Sequence, residues 1–496
     1  MDLTASFLLL LLCLIWACFH LLNSNSRRRR SAKLPPGPYP FPVIGNILQF
    51  GQNPHQSLTK LSKTYGPLMH LRLGSIDTIV VSSPEMAKEI LQTHDQAFPL
   101  RLTTAATRAL DHHVTSVAFL PIGNQWRNLR KICKEHMFSI QRLHANEGLR
   151  QEKLQKLLQY VQECCVNGRA VDIGQAAVVT SLNMTSNTVF SVDFADYNTC
   201  QELEDIIRRC MRVWGSPNLG DYFGFLGLFD PQGIKREAEF CVGKLLAIFD
   251  SIIDRRVEAS RNSQARKTDL LEVLLEISGG NQAELTRNEM KHLFVDLFVA
   301  GVDTTSGTVE WVITELLRNP HVMSKLKMEV RTVLEANKQV EESDISKLPY
   351  LQAVIKEAFR YHPPGPFITR CKDGDDLEIK NYNIPKNALI LINIWATGRD
   401  PNIWPNPDSF QPERFLNTEV DVKGHNLELI PFGSGRRICP GMPLAYRMVH
   451  LIVAYLIQHF DWKLEPGIAP GDVDLNETLG LSLHKTIPLK AVPIKP

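Results

Sequence analysis

The stretch Phe432-Gly433-Ser434-Gly435-Arg436-Arg437-Ile438-Cys439-Pro440-Gly441 decides how this sequence is interpreted. Its three glycines and one proline predict a tight, exposed loop, and a helical pattern begins directly afterwards, at Pro443. Cys439 therefore precedes a helix N-terminus, where N–H groups without helical partners favour an anion such as a thiolate. Because a thiolate binds soft metals, Cys439 is either a metal ligand or a structural cysteine in a turn.

Composition and charge describe a globular protein and give no sign of nucleic-acid binding. The 496 residues include 55 Lys and Arg against 53 Asp and Glu, for a formal net charge of +2. Such a chain can bury roughly three quarters of its unfolded surface. The ten cysteines show neither a disulfide nor a zinc spacing, so we expect most of them to be small buried hydrophobes. The sequence has no glycine-rich phosphate loop, so we do not expect the chain itself to bind a nucleotide cofactor.

The N-terminal segment predicts a membrane anchor. Residues 5–22 are almost unbroken apolar, and four arginines follow at 27–30. As a helix the apolar run rises about 27 Å, close to the thickness of the hydrocarbon core of a bilayer. A cleaved secretory signal would carry its basic residues before the apolar run, whereas here the one charged residue before the run is the acidic Asp2. We therefore predict a signal-anchor transmembrane helix over residues 1–22, in contact with membrane lipid, with the remaining chain in the cytosol and the endoplasmic reticulum as the default membrane.

Two further segments complete the predicted organisation. Residues 23–44 form a basic and proline-rich linker, because five prolines between Leu34 and Pro42 exclude a helix or a central strand. Residues 45–496 form the body, whose pattern is mainly helical with a minority of strands.

Four patterns in the body predict particular elements. The β-rich stretch Leu71–Val81 is broken by a Gly-Ser pair, which indicates a hairpin. Residues 285–317 form one long helical run. An amphipathic helix follows Pro349 and is stopped by Pro363-Pro364, and strand-like pieces lie at 377–393.

Residues 432–441 match the pattern Phe-x-x-Gly-x-Arg-x-Cys-x-Gly at every fixed position. This pattern resembles the haem-binding signature of the cytochrome P450 superfamily. The resemblance implies that Cys439 supplies the thiolate ligand to the iron of heme b (iron protoporphyrin IX), with Phe432 and Arg437 at the cofactor. It also implies the cytochrome P450 fold: mainly α with a small β region, a triangular single domain that joins the transmembrane helix. Residues 45–496 are then the haem-thiolate catalytic domain.

A second family motif implies a structural role. Glu357-Ala358-Phe359-Arg360 resembles the family's Glu-x-x-Arg, whose two charged side chains share one helix face at i and i+3. Pro412-Glu413-Arg414-Phe415 supplies the family's partner arginine, Arg414. The resemblance implies a charged triad that clamps the meander beneath the haem. The alternative is an exposed ion pair of little energetic value.

A third motif lies in the long helical run. Ala300-Gly301-Val302-Asp303-Thr304-Thr305 resembles the oxygen-binding stretch of the family's I helix. Glycine inside a helix costs about 1 kcal/mol relative to alanine, so Gly301 favours a functional reason, namely a local opening beside Gly301 that gives dioxygen space over the iron. The resemblance implies that Thr304 hydrogen-bonds the oxygen and that Asp303 relays protons from solvent. The alternative for Thr304 is a bond back to its own helix.

A fourth motif, Trp126-Arg127-Asn128-Leu129-Arg130, resembles the family's C helix. Trp126 and Arg130 lie at i and i+4 on one face. Arginine matches carboxylates, and haem carries two propionates. By resemblance, the propionate partners are Trp126, Arg130, Arg370 and Arg437.

The implied reaction is monooxygenation, because thiolate ligation of haem favours cleavage of the O–O bond of O2. The chain has no flavin or nicotinamide motif, so electrons must come from NADPH through a partner, NADPH–cytochrome P450 reductase. The basic residues Arg127, Lys131 and Lys134 are either a solvated face or the surface on which this reductase docks. Two other functions stay open: a non-oxygenating haem-thiolate isomerase or dehydratase, and a non-catalytic haem-binding protein.

Finer similarity indicates the substrate class. Asn53-Pro54-His55-Gln56 and the run from Trp126 to Phe138 are similar to the plant branch that contains geraniol 8-hydroxylase and ferruginol synthase. The resemblance implies a small apolar plant specialised metabolite, a terpenoid such as a monoterpenol or an abietane-type diterpene. Tyrosine or another phenolic is the alternative substrate.

Two segments depart from that branch, Ala97–Leu102 and Phe367–Arg370, so no single substrate is transferred. The candidate substrate-pocket residues, for which plain core is the alternative, are Leu102, Phe119, Val302, Phe367, Ile368 and Leu481.

Overall fold

A computed structural model of the chain describes residues 33–198, 202–261, 269–279, 284–334 and 339–495. Most of its regular structure is α-helical, as predicted. The α-helices are α1 (Ile47–Phe50), α2 (Pro54–Tyr65), α3 (Pro84–Lys88), α4 (Asn124–Ile132), α5 (Ile140–Ala145), α6 (Glu147–Val166), α7 (Ile173–Phe190), α8 (Glu202–Gly215), α9 (Leu219–Tyr222), α10 (Ile234–Arg261), α11 (Leu270–Ser278), α12 (Arg287–Arg318), α13 (Pro320–Val333), α14 (Pro349–Tyr361), α15 (Ile394–Thr397) and α16 (Met442–His459). The strands are β1 (Leu68–Leu73), β2 (Ile76–Val81), β3 (Val171–Asp172), β4 (Phe367–Cys371), β5 (Leu377–Ile379), β6 (Tyr382–Ile384), β7 (Leu389–Asn393), β8 (Asp461–Leu464), β9 (Glu477–Leu479), β10 (Leu483–Lys485) and β11 (Lys490–Ile494).

The described residues belong to two compact units. Unit 1 contains the described parts of Met1–Leu102, Leu219–Pro231 and Phe367–Ala396. Unit 2 contains those of Thr103–Asn218, Gln232–Pro366 and Thr397–Pro496. The predicted boundary between linker and body, at residue 45, stays a prediction.

Unit 1 is built on a four-stranded sheet in the order β1-β2-β7-β4. The hairpin predicted for Leu71–Val81 is confirmed as β1 and β2, which turn at Gly74-Ser75 because Leu73 pairs with Ile76. β7 runs parallel to β2 and antiparallel to β4. The predicted strand pieces at 377–393 are confirmed as β5, β6 and β7. The buried core of this unit consists of Leu58, Met69, Leu71, Val80, Leu389 and Leu391.

The described part of the predicted linker packs on unit 1. The backbone N–H of His70 donates to the carbonyl of Pro36 at 2.9 Å, and that of Asn383 donates to Lys33 at 2.8 Å. A methyl group on Gly37 would lie 1.9 Å from the carbonyl oxygen of His70, so only glycine fits this close approach. The predicted transmembrane helix, residues 1–22, lies outside the described residues. Within the ranges that the structure does describe, no helix combines the length and apolar character needed to cross a membrane.

Unit 2 is organised around α12, the helix predicted over 285–317. It begins at a capping box, in which the Thr286 hydroxyl accepts from the N–H of Glu289 and the Glu289 carboxylate accepts from the N–H of Thr286. At 1.5 Å per residue it is about 48 Å long. It packs along α7 and α16. The predicted helices after Pro349 and after the cysteine loop are confirmed as α14 and α16.

Helix α12 contributes to two apolar clusters. Its N-terminal half gives the first cluster Leu293, Phe294, Phe298, Val299 and Val302. Its C-terminal half gives the second Val309, Val312, Ile313 and Leu316. The stretch between, Ala300–Thr308, is small or polar except for the buried Val302. The oxygen-site motif therefore lies in the part of the helix between the residues that α12 contributes to the two apolar clusters.

The predicted charged triad is present and buried. Both nitrogens of the Arg360 fork reach the Glu357 carboxylate, at 2.7 and 2.8 Å, and Arg414 Nε lies 3.1 Å from it. Arg360 also donates to the carbonyls of Pro407 and Ser409, at 2.8 and 3.1 Å. Because these carbonyls belong to the irregular segment that follows α15, the triad fixes that segment against α14, and the exposed-pair alternative is wrong.

Glu357→Gln is expected to lower the free energy of unfolding by roughly 3–5 kcal/mol, because it leaves two buried guanidinium groups without their carboxylate. Urea denaturation of the purified chain measures this. The matched control is Glu239→Gln, which removes an exposed pair with Lys235 at 3.8 Å and should cost under about 1 kcal/mol. An equally small loss for both variants would contradict the structural role of the triad.

Candidate haem site

The cysteine loop is closed by its own backbone. The N–H of Cys439 donates to the carbonyl of Phe432 at 2.9 Å. Gly433 and Gly435 adopt φ values of 79° and 71°, a left-handed conformation that side chains disfavour. Helix α16 begins at Met442, directly after the loop. The thiol is therefore held at the start of a helix, as the sequence predicts, where a thiolate is favoured.

An aromatic contact packs the cysteine loop against α14. The ring of Phe432 meets that of Phe359 edge-on, with centroids 5.4 Å apart. Phe359 lies between Glu357 and Arg360 of the buried triad. The triad and the cysteine loop are thus supported by the same helix.

Helix α4 brings Trp126 between two arginines. The guanidinium carbon of Arg130 lies 5.5 Å from the Trp126 ring centroid, and that of Arg437 lies 5.2 Å from it. Arg130 Nη1 donates to the carbonyl of Ile438 at 2.8 Å, beside the cysteine. The structure therefore brings together Trp126, Arg130, Arg437 and Cys439, which the sequence predicted as one site.

The charge of Arg130 is only partly compensated by the protein. Burial lowers the pKa of Arg130, and the groups that oppose this shift are two thiols, Cys133 and Cys439. Within the described part of the chain, no carboxylate lies within 4.0 Å of its guanidinium. A half-buried cation of this kind fits an anionic group on a ligand, such as a haem propionate.

Cys439 has no neighbouring set of metal ligands. Over the described ranges, no group of three His, Cys, Asp or Glu side chains could hold a metal ion. A metal at Cys439 must therefore bring most of its ligands with it. Iron in a porphyrin does this, since the macrocycle supplies four nitrogens and the protein only the axial ligand.

Helix α12 faces open space at the oxygen-site motif. Ala300 is exposed although it follows the fully buried Val299, and a methyl group on Gly301 would meet nothing within 4 Å. The Thr304 hydroxyl donates to the carbonyl of Ala300 at 2.8 Å, which is the back-bond that the sequence left open. The structure therefore leaves open space beside Ala300 and Gly301, two of the residues predicted for the oxygen site.

Asp303 has partners that sequence reasoning missed. Its carboxylate lies 2.8 Å from Nε2 of His484 and accepts from the hydroxyl of Ser482. Both partners belong to the β9–β10 hairpin, far along the chain. No local pattern in the sequence pointed to them.

A buried polar network behind the site was also missed. Asp296 of α12 accepts from the Ser116 hydroxyl at 2.6 Å and from the N–H of Val117 at 2.8 Å. His292, one turn earlier, lies with its Nδ1 2.9 Å from that of His112. Burial, with the charge of His112 adding to it, lowers the pKa of His292 to about 4, so this imidazole is neutral.

The remaining predicted residues are divided between the two units. In unit 1, Arg370 is buried on β4 and Nη1 donates to its neighbour Thr369 at 2.8 Å. Leu102 and Phe367 pack against the core of unit 1, and Ile368 is half-buried like them. In unit 2, Phe119 meets Trp214 edge-on at 6.0 Å, Val302 is buried core, and Leu481 is exposed in the β9–β10 turn.

Comparisons with known proteins show the family of the chain. A family model described as Cytochrome P450 matches residues 35–490. The chain is 51% identical to Cytochrome P450 76T24 of Catharanthus roseus, over 97% of both proteins. It is 50% identical to a ferruginol synthase of Isodon rubescens, over 99% of this chain and 100% of that protein. It is 47% identical to a sugiol synthase of Salvia miltiorrhiza, over 95% of this chain and 96% of that protein.

Arg130→Ala is expected to reduce the fraction of purified protein that carries haem, because it removes the bond to Ile438 and the cation that fits a propionate. The ratio of Soret to protein absorbance measures this. Arg127→Ala is the matched control, since Arg127 is exposed on the same helix and contacts Asn124 at 3.2 Å. Equal haem content in wild type and both variants would remove Arg130 from the cofactor site.

Proposed function

Because the chain belongs to the cytochrome P450 family, we propose that it is a membrane-bound enzyme that oxidises an abietane-type diterpene, with electrons that NADPH–cytochrome P450 reductase takes from NADPH. Family membership makes the chain a monooxygenase that binds haem through a cysteine thiolate. The observation that carries the site assignment is the cluster of Cys439, Trp126 and two arginines, of which Arg130 has no carboxylate partner among the described residues.

Cys439 would hold the haem iron through its thiolate, and Arg130, Arg437, Trp126 and Arg370 would hold the propionates. When bound, haem supplies the activation of O2, since a thiolate ligand favours cleavage of the O–O bond. The closed backbone of the cysteine loop holds the sulfur in place. The stacking of both arginines on Trp126 orients their forks before the cofactor arrives, which lowers the entropy lost on binding.

Asp303 and Thr304 are the proposed proton-handling pair of the site. The Thr304 hydroxyl is turned to the carbonyl of Ala300, and one rotation about its χ1 bond redirects the proton into the open space at Gly301. The Asp303 carboxylate has contacts that lead away from this space, toward His484. The two side chains thus offer a route by which protons reach the reaction space without general access of water.

The reductase is proposed to dock on the basic face of α4 and the turn after it. Arg127, Lys131 and Lys134 are exposed, whereas Trp126 and Cys133 of the same segment are buried. The same short segment therefore exposes cations to solvent on one side, and its buried side chains would adjoin the cofactor. An acidic flavoprotein would be attracted to this face, with an association rate that falls as ionic strength rises.

The substrate class rests on the relatives together with the character of the open space. Two of the relatives are named for the synthesis of ferruginol and of sugiol, and they match nearly the whole chain. We propose Leu102, Phe119, Phe367, Ile368 and Leu481 as substrate contacts, because apolar side chains suit a diterpene hydrocarbon. Val302 was predicted with them and is buried in the core cluster of α12.

Attachment to the endoplasmic reticulum is proposed from residues 1–22 and from unit 1. Phe225, Leu228 and Phe229 are 66%, 86% and 76% exposed, a density of bare apolar side chains that is unusual on a soluble surface. Their segment adjoins the β1–β2 turn, since the N–H of Ser75 donates to the carbonyl of Tyr222 at 3.0 Å. Such a cluster would enter the interface of the membrane that the predicted anchor crosses.

The function is tested in microsomes from yeast that expresses the full chain with a plant reductase. We expect NADPH-dependent, oxygenated product from an abietane diterpene hydrocarbon, identified by mass spectrometry, and none when NADPH is omitted. Monoterpenols and tyrosine complete the panel. Product from tyrosine or a monoterpenol alone would overturn the diterpene assignment. After a carbonate wash the chain should stay with the membrane, and its release would contradict the proposed anchor.

A further inference from the structure

One face of α12, which begins within the oxygen-site motif at Asp303, is turned to the β9–β10 hairpin. Asp303, Gly307 and Glu310 recur at i, i+4 and i+7 and so line one face of the helix. His484 Nε2 lies 2.8 Å from the Asp303 carboxylate and 2.8 Å from the Ser482 hydroxyl, which itself donates to Asp303. A carboxylate, a hydroxyl and an imidazole are thus joined in one hydrogen-bonded group.

Gly307 lies beside this imidazole. A methyl group at Gly307 would lie 3.5 Å from Nδ1 of His484, in contact with the ring. Within the described residues, no protein group is hydrogen-bonded to Nδ1 of His484. With Nε2 engaged by Asp303 and Ser482, the second ring nitrogen is left for water. An imidazole so placed can take a proton at one nitrogen and give one from the other.

Water reaches this group through a cavity of about 410 Å³ in unit 2. The cavity extends between the N-terminal turn of α7, helix α8, helix α12 and the β9–β10 hairpin, with Asp303 and His484 in its wall. Its lining is rich in charged and polar side chains, of which the principal ones are Asp172, Gln175, Arg208, Arg212, Glu310 and Lys485. A polar cavity of this size holds several waters.

We propose that His484 carries protons from the water of this cavity to Asp303. His484 starts as imidazolium, with a proton on each ring nitrogen, and the proton on Nε2 passes to the Asp303 carboxylate, which leaves neutral imidazole with its proton on Nδ1 and a neutral carboxyl group. Asp303 then turns about its own side-chain bonds toward Thr304 and gives up that proton, and solvent restores the charge on His484. The role rests on the proposed function of Asp303 and Thr304 and adds to them the residue that supplies them.

The surroundings favour the charged form of His484. Burial lowers its pKa, but the hydrogen bond and charge of Asp303, with the charge of Glu310, outweigh burial and raise the pKa above its usual value. Arg208 opposes the shift. Arg212 and Lys485, the latter being the next residue along β10, are further cations at the cavity wall. A raised pKa means that stability from the Asp303–His484 pair is complete below the unfolded value and is lost as pH rises through the folded value.

The first experiment tests the pair without substrate. Thermal unfolding of the full chain is followed from pH 5.5 to 9 for wild type and His484→Gln, a variant whose amide can still donate to Asp303. We expect wild type to be more stable by a few degrees at the acid end, with the difference vanishing as pH rises. In an Asp303→Asn background the difference should not depend on pH. A pH-independent difference in the wild-type background would overturn the pairing.

The second experiment tests proton transfer by NADPH oxidation with reductase, in water and in deuterium oxide. Wild-type turnover should fall as pH rises through the His484 transition. His484→Gln should be roughly 10²-fold slower, should lack that pH limb and should show a larger solvent isotope effect, because proton delivery becomes limiting. His321→Gln, an exposed histidine at the start of α13, should behave as wild type.

If His484→Gln shows the same turnover, the same fall with pH and the same isotope effect as the wild type, the proposal is refuted. If no compound of the diterpene panel is oxidised, the same measurements are made on substrate-free NADPH oxidation. Failure of the substrate assignment is then distinct from failure of the role of His484.

Discussion

The segment Ser116–Leu120 is the constraint on which the geometry of the haem site depends, because its backbone is bonded to three other elements at once. The Asp296 carboxylate of α12 accepts from Ser116 and Val117. The carbonyl of Val117 accepts from Trp126 Nε1 of α4 at 3.1 Å. The carbonyls of Ala118 and Leu120 accept from Arg437 of the cysteine loop. One short segment thus supplies the hydrogen bonds of a buried carboxylate and of a buried guanidinium. Loss of the bonds to either group would leave a buried charged side chain without partners.

This arrangement explains how distant parts of the chain form one site. Arg130 adds a direct bond from α4 to the cysteine loop, at the carbonyl of Ile438. Phe432 and the Glu357 triad support the loop from α14 on its other side. Helix α12 is held by apolar packing in both halves, so its middle stretch can stay open and polar. Rigidity around the site permits the locally weak packing that dioxygen and substrate need.

Sequence reasoning succeeded where the determining information is local. The cysteine loop, the hairpin of β1 and β2, the capped α12 and the Glu357–Arg360 spacing are all fixed by residues within one or two turns of each other. It failed for contacts between segments about 180 positions apart, such as Asp296 with Ser116 and Asp303 with His484. A lone histidine on a short strand carries no pattern that distinguishes a partner of Asp303 from a surface residue. The burial of Val302 was equally hidden, because an apolar residue within the motif suits a pocket and a core alike.

The central claim is that Cys439 holds the haem iron, and the absorption spectrum of the reduced carbon monoxide complex tests it most directly. We expect the wild type and Cys165→Ser, which changes a half-buried cysteine on α6, to show the long-wavelength Soret band that gives the family its name. Cys439→Ser should lose this band, because only a thiolate ligand produces it. An unchanged band in Cys439→Ser would show that Cys439 does not ligate the haem iron.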